Sequence, residues 1–228
     1  MSSPAVWYVG GTDQEYQAWV AMGTSITRIP DVLLEKVRGA VWVIEGTAGP
    51  LAAKRHRLKR LSELGCTRIL TAAHTATIAA QHRWVGDAVR LIGYDPLLVI
   101  AQGKVQTLVE SQPDDTDALA GLFGARRWDN VADQVGLVFS REILPIINEA
   151  AAFAAQGLAS EEIDQAMRLG LNYPQGPFAW ADAFGWEAVY WGLRAMEDMY
   201  GPRFRPHPWI RHQIGSSLLE REDGACAK

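Results

Sequence analysis

Up to about residue 135 the chain alternates short β-rich runs with stretches of helical apolar spacing, and after Gly136 the alternation stops. This switch constrains the fold more than any other feature. Repeated strand, helix, strand implies a parallel sheet with helices on its faces, whereas a run of helices alone must bury its apolar stripes against other helices. VWYVG (6–10), SITRI (25–29), AVWVIEG (40–46), TRILTA (67–72), AVRLIGY (88–94) and KVQTLVE (104–110) read as strands. Between the earlier ones, DQEYQAWVAMG, DVLLEKVRG and PLAAKRHRLKRLSELG read as helices ending at Gly23, Gly39 and Gly65, where glycine tolerates the left-handed backbone that closes a helix.

The second half carries no strand signal. GLVFSREILPIINEAAAFAAQG reads as a long helix stopping at Gly157, with a bend expected at Pro145. SEEIDQAMRLG reads as a helix capped by Ser160 and closed at Gly170, NYPQGPF as a turn, and GWEAVYWGLRAMEDMYG as an amphipathic helix. The expected organisation is a reduced Rossmann-like α/β domain over residues 1–135, an all-helical domain over 136–214, and a mobile tail over 215–228. Trp180, Trp186, Tyr190 and Trp191 are more aromatic surface than so small a domain leaves in water, so a partner surface is expected. The aromatic and methionine stripe of WEAVYWGLRAMEDMY is the expected dimer core.

Bulk properties exclude several classes of function. With 228 residues, 48% of them hydrophobic, the chain can bury one large core or two small ones. A net charge of −4 gives no general attraction to nucleic acid or to an anionic membrane. No apolar run approaches the roughly 18 residues of a membrane span, and MSSPAVWYVGG lacks the basic and apolar segments of a signal peptide. A cytoplasmic protein is expected. Cys66 and Cys226 form neither a disulfide framework nor a metal spacing, and the five histidines are scattered, so no metal is expected.

The stretch VWYVGGTDQEYQAW (6–19) has the layout of a dinucleotide cradle: strand, glycine turn, helix. Such a cradle uses glycine at the first, third and sixth turn positions, for the tight turn, for close approach of the diphosphate and for helix packing. Those positions hold Gly10, Thr12 and Glu15. Thr12 adds a side chain at the approach, and Glu15 adds bulk and negative charge at the helix start, against a diphosphate. At the end of the second strand stands Arg28 rather than an acid for the ribose hydroxyls. Arginine there suits a 2′-phosphate, but without the glycines NADP is not expected.

From residue 136 to 213 the chain closely resembles the C-terminal domain of 3-hydroxyacyl-CoA dehydrogenases. The features that carry the resemblance are Asn148-Glu149-Ala150 on the long helix, Ile163-Asp164 before Ala166-Met167, Gly176-Pro177-Phe178 with Asp182 and Gly185, and Arg205-Pro206-His207-Pro208. The first half is similar to the same family. Glu45 is followed nine residues later by Lys54, as in the family's strand-end pair. TRILTAAHTATIAA stands where the family has a Ser-Asn-Thr-Ser turn, RWVGDAVRLIGYDP matches its Gly-Leu-His-Phe-Phe-Asn-Pro segment, and VQTLVE its Leu-Val-Glu. The resemblance implies NAD and an acyl-CoA ligand, a homodimer formed through the helical domain, and oxidation of 3-hydroxyacyl-CoA to 3-oxoacyl-CoA. It implies cofactor contacts at Gly10, Gly11, Thr12, Arg28, Glu45 and Lys54.

Hydride transfer from a secondary alcohol needs a bound nicotinamide, a base, and a group to hold that base. At the family's histidine position this chain has Ile92, which cannot take a proton. The family's serine, first turn asparagine and helix-opening asparagine correspond to Ala72, Ala73 and Ser140, and its glutamate to Glu110, farther from Ile92 than in the family. The long helical insertion after the second strand is also absent. The candidate catalytic residues are therefore Glu110, Ser140 and His74, the last as a base displaced to a neighbouring strand end and oriented by Glu110 or Asp95. Otherwise His74 is a solvent-facing or helix-capping residue. In KRHRLKR (54–60), Lys54, Arg55 and Arg57 either capture coenzyme A phosphates or form a solvated face. The residues imply a family reaction impaired or lost. The alternative is a catalytically silent dimeric relative that binds an acyl-CoA, another ligand or a protein.

Overall fold

The computed structural model describes residues 6–23, 25–46, 49–86, 89–124 and 126–215. These divide into two compact units, one up to Ser140 and one from Arg141 onward. The expected tail beyond Gly215, with Cys226, lies outside the described residues.

The first unit is a seven-stranded sheet in the order β2-β1-β3-β4-β5-β6-β7. Its strands are β1 Val6–Val9, β2 Ile26–Ile29, β3 Trp42–Glu45, β4 Arg68–Ala72, β5 Arg90–Tyr94, β6 Val105–Val109 and β7 Arg127–Asn130. The first five are mutually parallel, so Gly10, Glu45, Ala72 and Tyr94 all arrive at one edge. Helices α1 Asp13–Ala21, α2 Leu51–Glu63, α3 Ile78–Val85, α4 Pro96–Ile100 and α5 Pro113–Phe123 join them. Strand alternation splits the core: Tyr8, Ile44, Ile92 and Tyr94 pack with Trp19 and Phe123 on one face, and Val9, Val43, Leu91 and Leu58 on the other. Cys66 is a buried free thiol.

This α/β sheet is mostly, not wholly, parallel. β6 runs antiparallel to β5, with Gly93 opposite Val109. The link through residues 95–104 is shorter than the dozen or so residues a parallel crossover needs. β7 is parallel to β6 because α5 supplies a full crossover between them. Between β2 and β3 the expected helix is a 3₁₀ segment, Asp31–Val37, interrupted at Leu33. Too few residues remain there for a buried helical stripe, and Val32 is left exposed.

The second unit contains most of α6 Phe139–Ala155, then α7 Ser160–Leu171, α8 Pro177–Phe184, α9 Trp186–Tyr200 and α10 Pro208–Ile214. α6 continues through Pro145. α7 is capped at Ala159 without a side-chain bond; Ser160, the expected cap, is its first helical residue, and the helix passes Gly170 to end at Asn172 in the left-handed region (φ 55). The expected turn NYPQGPF ends in α8, which Asp164 caps by accepting from Phe178 N and Ala179 N at 2.8 and 2.9 Å.

The aromatic surplus serves this unit's own interior. Trp180 and Tyr190 are buried, and Trp186 packs on Phe178 and Trp209 with ring centres 6.0 and 5.4 Å away. The α9 stripe expected to form a dimer core is likewise covered within the chain through Ala188, Val189, Leu193 and Met196. Among the described residues, an uncovered apolar surface is a groove of about 490 Å³ between α6 and α7, lined by Pro145, Ala150, Phe153, Ile163, Met167 and Pro177.

Candidate functional site

The parallel strands bring most of the expected site residues to one edge of the sheet, where ligands bind in open α/β folds. Gly10 and Gly11 turn the chain after β1 at φ 68 and 62, a region that L side chains avoid. Thr12 then caps α1, its Oγ1 accepting from Glu15 N at 3.1 Å. One of the amides a diphosphate would use is thereby engaged. Arg28 lies across the turn, paired with Asp13, 3.5 Å from Gly11 O and facing the Tyr8 and Tyr16 rings.

Glu15 is not at the helix surface. It is 1% exposed and points inward, accepting a short hydrogen bond from the Tyr94 hydroxyl, with the Tyr8 hydroxyl as a second partner. Burial, reinforced by nearby Glu45, pushes its pKa up to about 7. Burial and Glu15 also raise both phenols above their ordinary range. The cluster fills the space beneath the turn. A β-carbon on Gly11 would collide with the Tyr8 hydroxyl, and one on Gly46 would lie 2.6 Å from that hydroxyl and 2.7 Å from Glu15 Oε2. Tyr8 and Tyr94 were not singled out in the sequence; their only signal is that each sits at or near the end of a central strand.

Glu45 and Lys54 do meet, but as a wholly buried ion pair. Arg57 joins them, 3.1 Å from Glu45 Oε1 and 2.6 Å from Asp31 Oδ2. Thr71 Oγ1 lies 3.0 Å from Glu45 Oε2 and 2.7 Å from Gln81 Oε1. This corrects the phosphate-capturing or solvated reading for Lys54 and Arg57, which point inward to neutralise carboxylates, while Arg55, His56 and Lys59 remain exposed as a solvated face. The helix turns Lys54 and Arg57 onto the same face as the core residues Leu58 and Leu61. Burial pulls the Lys54 pKa down, and the facing Glu45 carboxylate opposes the shift.

The proposed catalytic residues are not assembled. Ile92 is buried within β5, paired with Leu70 and two residues short of the strand end, so its position belongs to the core. Glu110 follows the reversed strand β6, in a left-handed conformation (φ 59). Its carboxylate is 3.2 Å from His82 Nε2 and its carbonyl accepts from Arg90 at 2.6 Å. Ser140 is buried and donates from Oγ to Asp95 at 2.6 Å and from its amide at 3.0 Å. Asp95 also accepts from Leu97 N and Leu98 N, and burial raises its pKa. Glu110 and Asp95 are thus committed to His82 and to helix starts; the expectation that either orients His74 does not hold.

His74 does lie at the ligand-binding edge, in the turn after β4, but it is wholly buried rather than solvent-facing or capping. Thr77 caps α3, accepting from Ala80 N, and Asp133 accepts from Ile78 N and Ala79 N. Burial, with the Lys54 charge behind it, pushes the His74 pKa down to about 3, so the ring is uncharged. Among the described residues no group of three or more His, Cys, Asp or Glu side chains is arranged to hold a metal, and no helix is long and apolar enough to cross a membrane.

In the helical unit the motifs resolve into internal contacts. Asn148 donates to Arg205 O at 2.9 Å and accepts from His207 N at 2.8 Å, fixing the Arg205-Pro206-His207-Pro208 segment. Asp182 accepts from Trp186 Nε1 at 2.8 Å.

A profile of the 3-hydroxyacyl-CoA dehydrogenase C-terminal domain matches residues 136–226. A probable 3-hydroxybutyryl-CoA dehydrogenase from Bacillus subtilis is 30% identical over 84% of this chain and 70% of its own length. A 3-hydroxybutyryl-CoA dehydrogenase from Clostridioides difficile is 36% identical over 79% and 67%. The match to 3-hydroxyadipyl-CoA dehydrogenase of Escherichia coli, 37% identical over 55% of this chain, spans only 28% of that protein. In fold, the crystal structure of FadB2 from M. tuberculosis superposes with a TM-score of 0.72, covering 94% of each chain at 15% identity. The Rossmann-like sheet, the helical unit and these matched lengths together place the chain in the 3-hydroxyacyl-CoA dehydrogenase family.

Proposed function

We propose that this chain is a divergent family member in which NAD-dependent oxidation of 3-hydroxyacyl-CoA is impaired or lost, and which acts as a homodimeric binding protein. The observation that carries this reading is the self-filled crevice at the sheet edge. Thr12 stands where a diphosphate would approach, with its Oγ1 capping Glu15 N, a β-carbon on Gly11 beside it would meet the Tyr8 hydroxyl, and Glu15 and Tyr94 fill the space beneath the turn. These residues do not fit a dinucleotide, so no hydride step is drawn through one. Nor does the edge offer a working base: Ile92 is aliphatic, and the His74 ring is walled in and held uncharged far below neutral pH.

The α6–α7 groove is the apolar surface a second copy would cover, replacing the α9 stripe in that role. Its exposed rim, Phe153 and Leu158, gives the pairing its apolar anchor. The expected setting is the cytoplasm, and an acyl-CoA is the candidate small ligand.

Calorimetric titration with NADH and NADPH, followed by a turnover assay with 3-hydroxybutyryl-CoA, tests the reading. Absence of submillimolar binding and of turnover, with a dimer by analytical ultracentrifugation, is the expected result. Tight NADH binding with turnover overturns it and supports the second reading, a working dehydrogenase, which the 30% identity to the Bacillus subtilis protein favours.

A further inference from the structure

Glu15 is buried beneath the glycine turn among groups that constrain its charge. The titratable and charged groups facing it are Tyr8 on β1, Tyr94 on β5, Glu45 on β3 and, beyond Glu45, Lys54 and Arg57 on α2, while Arg28 on β2 faces Tyr8. The two α2 cations are already answered by Glu45 and Asp31. What bonds to Glu15 is a pair of neutral phenols. Burial pushes its pKa up to about 7, so both of its forms occur near neutrality.

The two forms ask different things of Tyr8. Each phenol has one proton to give. Tyr94 gives its own to Glu15 Oε1, whereas Tyr8 is placed to give its proton either to Thr12 O, 3.4 Å away in the turn, or to Glu15. A protonated Glu15 donates to the Tyr8 oxygen and leaves the Tyr8 proton for Thr12 O. An ionised Glu15 can only accept, and a bond to a charged acceptor is roughly twice as strong as one to a neutral carbonyl, so it draws the Tyr8 proton to itself. Thr12 O then keeps the helical bond from Tyr16 N at 3.1 Å and loses the other. The Tyr8 hydroxyl is packed so closely against Gly11 and Gly46 that a β-carbon on either would collide with it, so the hydroxyl turns while the ring stays in place.

We propose that Tyr8 is a clasp on the turn at residues 10–12, closed onto Thr12 O when Glu15 is protonated and released when Glu15 is ionised. The clasp makes the mouth of the crevice sensitive to pH: mild acid holds it shut and mild alkali loosens it. It goes beyond the function proposed above and belongs to the chain without nucleotide, so the outcome of the NADH titration leaves its test unaffected.

The test is amide hydrogen exchange of the full chain at pH 6 and pH 8, corrected for the intrinsic effect of pH. The reporters are the Glu15 and Tyr16 amides, which bond to Thr12. Their protection should fall about fivefold from pH 6 to pH 8, the weight of one hydrogen bond, while β3 and β4 change less. Glu15→Gln, whose amide donates to Tyr8 at any pH, should stay protected at both values. Tyr8→Phe should be weakly protected at both. Equal protection of the native chain at the two values, a fall shared equally by β3 and β4, or a fall that persists in either variant overturns the clasp. The ¹³C signal of the Glu15 carboxyl, assigned by its loss in Glu15→Gln, gives a readout that needs no phenylalanine variant to fold. It should titrate between pH 6 and 8, and a titration complete below pH 5.5 overturns the proposal.

Discussion

The two units carry their ancestry differently. In the helical unit each family motif has an internal structural reason: Asn148 ties down the Arg205–His207 segment, Asp164 caps α8, and a β-carbon on Gly176 would run into the Asp164 carboxyl group. In the sheet unit the side chains around the glycine turn and the Glu45 strand end face one another instead, as Tyr8, Glu15 and Tyr94 do, and as Glu45, Lys54 and Arg57 do. Contacts that hold a fold together constrain sequence whatever the ligand. Contacts made to a ligand constrain it only while the ligand is used.

If the Glu45 cluster is now structural, removing its centre should produce the largest effect. Glu45→Ala leaves Lys54 and Arg57 buried near each other without their shared carboxylate, and should cost about 3–5 kcal/mol. Hydrogen exchange read separately for the two units should place that loss in the sheet. A negligible loss would mean the cluster opens to solvent and remains available to ligands. The counterpart in the helical unit is Gly176→Ala, expected to cost about 2–3 kcal/mol in urea unfolding as the new methyl displaces the cap from α8.

Next in size is a pair of opposing pH dependences inside the sheet unit. Glu15 binds its proton more tightly in the fold than its ordinary value of 4.5, with a pKa of about 7. Its contribution to stability is therefore present at low pH, falls as pH rises from about 4.5 through about 7, and is constant above. His74 has the opposite sign, because its pKa drops from 6.5 to about 3 on folding. Its penalty is present in acid and relieved as pH rises from about 3 to 6.5. Between pH 4.5 and 6.5 the two nearly cancel. Denaturant titrations across that window should be nearly flat for the native chain. Glu15→Gln should leave stability rising by about 1 kcal/mol per pH unit, and His74→Gln should leave it falling by about as much. Equal slopes in all three proteins would show that neither group is as enclosed as its surroundings indicate. The smallest effect belongs to Thr12→Ala, which removes the α1 cap and should cost about 1 kcal/mol in the same assay.

Much of the fold was legible because its signals are local. The glycine stops, the six main strands and the helical run after Gly136 are written in spacing and in residues with special backbone freedom. β7 was not, since Arg127-Trp128-Asp129-Asn130 has no apolar alternation and is held by pairing with β6. The direction of β6 was not, because Val105–Val109 reads the same either way and only the short link before it forces the reversal. The site was less legible than the fold. A helix bearing Lys54 and Arg57 looks solvated until Asp31 and Glu45 are brought beneath it from other elements. Glu15 looks like a charge at a helix start until the Tyr94 hydroxyl arrives from a strand 79 positions along the chain.

The reversal of β6 also divides the molecule's capacity to change. Loops leaving β1, β3, β4 and β5 emerge on one rim, while the loop at Ser111 and the start of α5 emerge on the other, anchored by Asn130 and Arg90. A reporter group or affinity handle grafted at Ser111 would report on the protein without entering the crevice, whereas an insertion near Gly46 would probe the crevice itself.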